Sequence, residues 1–406
     1  MPRALIVLPT GTYRAKDFVA AAEALGVELA IASEEAPPLG LQDRFVAIDC
    51  AHPEASADAL ADLAASTPID AIVAADDRGV VVASLASERL GLQSNDPLAA
   101  AATRNKAMMR RALAAGEVPQ PRFEVITGAT TSIPFPVVVK PLSLNASRGV
   151  IRVDDEAGLG TAIERIRRIL AAAGSSPSEP LLCESYVDGP EVSVEGILWD
   201  GDLEVLAVFD KPDPLVGPYF EETMFVTPSR HPAAVVEEIV NATNRAARAL
   251  GLREGPIHAE FRLDRRGPVM IEMAARTIGG LCGRSLTFGL LDTPLEVLVL
   301  RHALGMRKEG LKRSHLAAGV MMIPVPRRGT LTAVEGLETA GEVGSITGIE
   351  ITAPIGSTVA PPPEGDRYLG FIFARAADPV TVEGALRTAH RQLSFSISPS
   401  RADPSG

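Results

Sequence analysis

The chain has 406 residues, 46% of them hydrophobic and 22% charged, and a formal net charge of −12. That length exceeds what one hydrophobic core organises, so two or three packed domains are expected, and the composition sets aside the disordered and membrane classes. Binding to phosphate backbones or anionic lipid draws on clustered Lys and Arg, so an acidic chain is expected to have neither nucleic acid nor membrane as a partner.

Met1-Pro2-Arg3 leads into an apolar run, Ala4 to Leu8, that is too short for the core of a signal peptide. No stretch approaches the length of a membrane span, and a cytoplasmic location is expected. Ala4 to Leu8 reads as a buried strand, Gly11 as a turn, Lys16 to Leu25 as a helix stopped by Gly26, and Val27 to Ala32 as a second strand. The pattern returns at Ala71 to Ala75, followed by Asp76-Asp77 and an apolar helix reaching Leu90 and Gly91. Such alternation predicts an open parallel α/β domain over residues 1–102. Its first turn, Pro9-Thr10-Gly11-Thr12, lacks GxGxxG, and GxxxxGK[ST] occurs nowhere, so a nucleotide would be bound further along.

A helix rich in Arg and Lys is expected from Thr103 to Ala115. Beyond Gly116 and Pro119-Gln120-Pro121 come short strands, Pro136 to Lys140, Gly149 to Val153 and Leu181 to Ser185, with one helix over 156–172 and a loop from Gly174 to Pro180. This is the pattern of a small α+β subdomain. After 311 the chain turns rich in Gly, Pro, Thr and Val, with a Pro361-Pro362-Pro363 loop, a strand from Tyr368 to Ala374 and a helix over 380–393. A β-rich C-terminal domain over 311–398 and a loose tail, 399–406, are expected. Cys50, Cys183 and Cys282 show neither CxxC spacing nor a disulfide framework.

Three segments could carry chemistry. In the first, His258 to Leu263 and Val269 to Met273 flank a turn. A hairpin closed symmetrically about Arg266 sets Glu260 opposite Glu272, with His258, Glu260 and Arg262 on one face and Glu272, Ala274 and Arg276 on a face of the partner strand. Facing like charges are costly unless a cation lies between them, and hard oxygen ligands suit Mg²⁺. The second segment runs from Leu181 to Val194. A strand ending at Glu184, an Asp188-Gly189-Pro190 turn and Glu191 could receive an adenosine group, the strand end pairing with the base and Glu191 with ribose hydroxyls. In the third, Lys140 ends a β-branched run and precedes the polar loop 142–149, which could fold over phosphate oxygens. Alone, each segment reads more simply as a solvated sheet face, an exposed acidic hairpin or a snorkelling lysine.

Their order, Lys106, Lys140, loop, Glu184 to Glu191, Glu260, Glu272, Arg276, resembles the ATP-grasp superfamily over roughly residues 100–305. That resemblance implies a nucleotide clamp of two subdomains over 103–310 with a mobile lid at about 120–187. The α/β domain before it and the β-rich domain after it are similar to those of the biotin-carboxylase-like branch. It further implies Lys106, Lys140 and Ser147 on phosphate, Glu184, Tyr186 and Val187 on adenine, Glu191 on ribose, and Glu260 and Glu272 on metal. Within the superfamily, Asp210-Lys211-Pro212, Gly217 to Glu222 and Arg276-Thr277-Ile278-Gly279-Gly280 resemble the L-amino acid ligases that make dipeptides. This implies Lys211 on nucleotide phosphate and Arg276 on an acyl phosphate or carboxylate. Glu221, Glu222, His258, Gly279 and Gly280 would meet substrate.

The chain departs from the usual pattern at Ala274, where many relatives carry Asn, and in a loop whose one glycine is Gly149. The expected activity is ATP-dependent amide formation through an acyl phosphate, with ATP and Mg²⁺ (or Mn²⁺) as cofactors, small carboxylates and amines, notably amino acids, as partners, and a homodimer as a compatible state. Two rivals stand beside it. One is a ligase of the biotin carboxylase or nucleotide-biosynthesis kind; the other is a nonenzymatic ATP-binding module.

Overall fold

The computed structural model describes residues 1–10, 12, 14–35, 44–289, 293–306 and 314–399. The turn expected at Gly11 and the tail from residue 400 lie outside these residues.

The first sheet is parallel, as the β/α alternation demands, in the order Phe45–Ala47, Glu28–Ser33, Arg3–Val7, Ala71–Ala74. The helices Ala15–Leu25 and Val80–Leu90 end on Gly26 and Gly91, both with left-handed backbone (φ 64° and 66°), the stop that glycine permits at lowest steric cost. The strand order reverses between Arg3–Val7 and Ala71–Ala74, which opens a crevice at their carboxyl ends. A short turn, Asp77–Gly79, sits there because a Cβ on Gly79 would lie 2.7 Å from Val7 Cγ1, so only glycine lets the turn press onto the strand end.

The run expected as one helix from Thr103 to Ala115 is two, Pro97–Arg104 and Lys106–Ala115. Asn105 breaks it: in extended conformation, its side chain accepts from Ala107 N and Met108 N at 3.0 and 3.1 Å, capping the second helix. This cap sets Lys106 at the first helical position.

A four-stranded antiparallel sheet follows in the order Phe123–Ile126, Leu181–Ser185, Val137–Pro141, Ile151–Val153, backed by the helix Glu156–Ala172. Ile163, Ile166 and Leu170 on that helix pack against Val137, Val139 and Leu181. The largest sheet has eight strands, in the order Gly267–Ala274, Gly255–Asp264, Glu191–Trp199, Asp202–Lys211, Met224–Thr227, Ala317–Ile323, Gly370–Ala376, Ile346–Ile351. Strands that follow residue 316 therefore extend the sheet begun by the 255–274 hairpin. A separate three-stranded sheet, Thr358–Val359, Gly329–Glu335, Ser394–Ser398, closes the C-terminal part. One face of the large sheet is covered by the helix Ala233–Ala249 and the capped pair before residue 116, the other by Ile278, Leu281, Leu286, Leu295 and Leu298. Among the described residues no helix is long and apolar enough to cross a membrane.

Candidate active site

The parallel sheet, the four-stranded antiparallel sheet and the eight-stranded sheet meet around one cavity of about 500 Å³. Its walls hold Lys106, Lys140, Ser147, Glu184, Tyr186, Val187, Glu191, Glu222, His258, Glu260, Glu272, Arg276, Gly279 and Gly280, residues named from sequence. Glu221 does not line it; its carboxyl is half-buried and accepts from the backbone of Val325, and burial raises its pKa. Lys211, expected on nucleotide phosphate, does not line it either, because Glu191, Glu222 and Glu260 enclose its ammonium.

Glu260 pairs with Glu272 across the hairpin, by a route other than symmetric closure. The turn is tight, at Arg265-Arg266, pairing Phe261 with Met270; a bulge at Ile271 then shifts the register by one and brings Glu272 opposite Glu260. Each acid faces its own side-chain partners. Glu272 lies 3.6 Å from Lys106 Nζ, whereas Glu260 lies 3.1 Å from Lys211 Nζ and 3.3 Å from His258 Nε2.

Lys211 is the centre of a buried cluster. Its Nζ donates to Glu191 at 2.6 Å, to Glu222 and to Glu260, and stands 5.1 Å from the centre of the Phe225 ring. Glu191, Glu222 and Glu260 offer carboxylate oxygens within 4.8 Å of one another. Burial disfavours every charge here. The three carboxylates nevertheless hold the Lys211 pKa well above the usual lysine value, while Glu260 stays well below the carboxylate range because Lys211 and His258 face it. Glu222 is pushed up to about 7 by burial, against the pull of Lys211.

At the four-stranded antiparallel sheet, Glu184 answers two buried cations, Lys140 Nζ at 2.6 Å and Arg110 Nε, so its side chain is committed to ion pairs. Burial, aided by Arg110, lowers the Lys140 pKa, while Glu184 opposes that fall. Glu191 is shared between Lys211 and Arg262, whose Nε lies 3.0 Å away and whose Nη1 donates to Val187 O at 2.8 Å. The guanidinium groups of Arg152 and Arg262 stand 4.2 and 5.3 Å from the centre of the Tyr186 ring.

The loop after Lys140 turns through left-handed backbone at Ala146, Ser147 and Gly149 (φ 52°, 55° and 69°) and is tied down mainly through its carbonyls. Lys106 Nζ donates to Leu144 O at 2.7 Å, Lys106 N to Leu142 O at 3.1 Å and Arg104 Nη2 to Ser143 O at 3.3 Å. The capped helix start thus explains why Lys106 meets the loop. On its other side Gly149 N donates to Pro363 O at 2.9 Å, next to Glu364, which takes Arg165 in a forked pair at 2.6 and 2.9 Å.

Sequence reasoning missed Glu195, Asp77 and Tyr368 as members of the site. Fully buried Glu195 accepts Ile278 N at 2.9 and 3.1 Å and His258 Nδ1 at 3.0 Å, fixing the Gly279-Gly280 turn and the imidazole together. Glu195 lies on the same face as Glu191, a period-two signal that could have found it. Asp77, at the crevice of the parallel sheet, binds Arg276, and Tyr368 lines the cavity with Phe371, Met322, Phe225 and Cys282. Both come from distant segments, and no local pattern marks them.

His258 supplies a test of these charges. Burial disfavours its protonation, but hydrogen bonds to Glu195 and Glu260 push its pKa up to about 9 from 6.5. A histidine raised on folding adds stability that is complete below its unfolded pKa and is lost as pH rises through its folded one. The Tm of nucleotide-free protein should therefore fall between pH 6.5 and 9, and His258→Gln should flatten that slope; a variant slope equal to the parent's would contradict a charged imidazole.

Residues 133–285 match the ATP-grasp domain, residues 19–93 the ATP-grasp N-terminal domain and residues 321–398 the L-amino acid ligase C-terminal domain 2. The chain is 27% identical to the uncharacterised protein y4rH of Sinorhizobium fredii, over 73% of this chain and 61% of that protein. It is 29% identical to the alanine–anticapsin ligase of Bacillus subtilis, over 52% of this chain and 49% of that enzyme. It thus spans only about half to three-fifths of the length of these relatives. The crystal structure of L-amino acid ligase from Bacillus licheniformis superposes with a TM-score of 0.86, over 98% of this chain and 99% of that one, at 25% identity.

Proposed function

We propose that this chain, an ATP-grasp protein by its fold and its matched domains, is an ATP-dependent ligase that joins the carboxylate of an amino acid to an amine. A substrate carboxylate oxygen attacks the γ-phosphorus of ATP, the bond from that phosphorus to the β,γ-bridging oxygen breaks, and ADP leaves. The amine then adds to the acyl carbon, phosphate departs with the former carboxylate oxygen, and the nitrogen loses a proton.

The observation that carries this reading is the convergence of Lys106, Lys140, Glu260, Glu272 and Arg276 on one cavity. Phosphoryl transfer asks for charge neutralisation and alignment more than for covalent help. Lys106 and Lys140 bring positive charge beside the loop, and the Arg276 fork suits an acyl phosphate or a carboxylate. Glu260 and Glu272 would hold Mg²⁺ or Mn²⁺, the hard cations that carboxylate oxygens suit, with Glu191 and Glu222 offering oxygens within 4.8 Å of Glu260, and the bound ion would spread phosphate charge. Ala274 offers no side-chain oxygen to a metal, whereas Glu191 and Glu222 set two further carboxylates near Glu260. The pinned 142–150 loop would keep water from the acyl phosphate.

The substrate end of the cavity has apolar walls, Phe225, Met322 and Phe371, with acidic Glu222 beside them. Apolar walls with an acid and a guanidinium nearby suit an α-amino acid bearing an apolar side chain. A phosphate-release screen over pairs of amino acids, with mass spectrometry of the products, tests the whole reading. Release is expected with an apolar amino acid as the acid, giving a product one water lighter than the sum of the pair. ATP binding in calorimetry without release from any pair would leave a nucleotide-binding module. Release that depends on bicarbonate and free biotin would favour a carboxylase.

A further inference from the structure

We propose that Asp77 is a positioning residue that couples the seating of the 142–150 loop to the aim of the Arg276 guanidinium. The inference rests on the ligase reading above, in which Arg276 holds the acyl group.

Asp77 lies in the matched ATP-grasp N-terminal domain, ahead of the central match at 133–285, in the turn that Gly79 presses onto the end of the first strand. It is 5% exposed, yet three groups from three segments converge on its carboxylate. Arg276 Nη2 donates to Oδ2 at 2.7 Å, Asn145 Nδ2 donates to the same oxygen at 3.3 Å, and Arg104 Nη1 stands 3.7 Å from Oδ1. Arg276 follows the metal-side strand, Asn145 is on the loop expected to cover phosphate, and Arg104 also holds that loop at Ser143 O.

The geometry makes the carboxylate a junction rather than a simple glue between domains. Arg276 Nη1 donates to Thr277 O at 2.8 Å, so the orientation of the guanidinium plane is set by the carbonyl of the next residue at one end and by Asp77 at the other. Asn145 shares the oxygen that Arg276 uses. When the loop lifts, that oxygen loses a donor, the carboxylate is freer to rotate, and the guanidinium it holds rotates with it. The other anchors of the loop, from Lys106 to the Leu142 and Leu144 carbonyls, from Arg104 to Ser143 O and from Gly149 N to Pro363 O, make no contact with Arg276. The acyl group would thus meet an aligned Arg276 when the loop is down, the moment at which water is excluded.

Asp77→Asn keeps the shape and an acceptor but removes the charge; Asp77→Ala removes both. The expected result for Asp77→Asn is a fall in kcat of about 10- to 100-fold, as misplacement of a contacting group produces, with KM for ATP changed less than about threefold. Combined with Arg276→Lys, it should add little to the loss from Arg276→Lys alone, because two groups acting as a unit are not additive. Hydrogen exchange measured with a nonhydrolysable ATP analogue gives a readout that needs no turnover. In Asp77→Ala, protection should fall both at residues 142–150 and at residues 276–278, and Asn145→Ala should reproduce this in part. Additive losses, a fall in kcat that merely tracks Tm, or protection lost at one segment alone would overturn the coupling. If Asp77→Ala does not fold, the same exchange measurement on Asp77→Asn decides. If no substrate pair turns over, the ligase reading fails while exchange still judges the link between loop and Arg276.

Discussion

Glu272→Ala is expected to lower phosphate release by roughly 10²- to 10³-fold, the cost of removing one preorganised charge contact from a transition state. The fold should be spared. The Glu272 side chain is 31% exposed and its ion-pair partner, Lys106, lies 3.6 Å away. Such a partly solvated pair contributes about 1 kcal/mol or less, so Tm should move by no more than about 4 °C. Single-turnover phosphate release, run beside thermal unfolding, separates the two effects. Release close to that of the parent would remove Glu272 from the metal set and leave the Glu191, Glu222 and Glu260 trio to hold the ion without it.

The second large effect concerns stability. Lys211→Met keeps most of the aliphatic stem but takes away the one ammonium that Glu191, Glu222 and Glu260 all face. Breaking a buried ion pair by deleting one partner costs about 3–5 kcal/mol, since the charge left behind has no compensation. The loss should be largest in EDTA and partly recovered with millimolar Mg²⁺, because the three carboxylates are close enough to share an ion. It should also shrink as pH falls towards about 7 from above, because Glu222, freed from the pull of Lys211, takes up its proton at a higher pH than in the parent and relieves the crowding. Denaturant titrations with and without Mg²⁺ measure both. A loss under about 1 kcal/mol, or one indifferent to Mg²⁺, would show that Lys211 is not what holds the three acids together.

Much of this site was legible in sequence because strands impose a period of two and hairpins fix partners. The residues Glu184, Glu191, His258 and Glu260, like Glu272, lie on strands or strand ends, and their order along the chain carried the family resemblance. Even so, the pairing of Glu260 with Glu272 was read correctly for a reason the chain does not use. Closure about Arg266 and a tighter turn corrected by a bulge at Ile271 give the same partners, and no propensity distinguishes them. The helix break at Asn105 was hidden because Asn in an Arg/Lys-rich run reads as an ordinary polar position until its side chain is seen to cap. Asp77 was noted only as the residue after a strand. Its partners, Arg104, Asn145 and Arg276, lie far along the chain, and only tertiary packing brings them to it. Likewise, Glu184 was expected at adenine by resemblance, and its pairing with Arg110 depends on a helix docking that local pattern does not encode.

The continuity of the large sheet has a practical side for anyone recombining such proteins. Because Met224–Thr227 hydrogen-bonds directly to Ala317–Ile323, a chimera with its crossover between those two segments would have to rebuild a ladder inside one sheet, not swap one appended bead for another. Cutting there would bare an edge ready to recruit foreign strands, and grafts are safer at the outer rim, beyond Ile346–Ile351, where the ladder already ends.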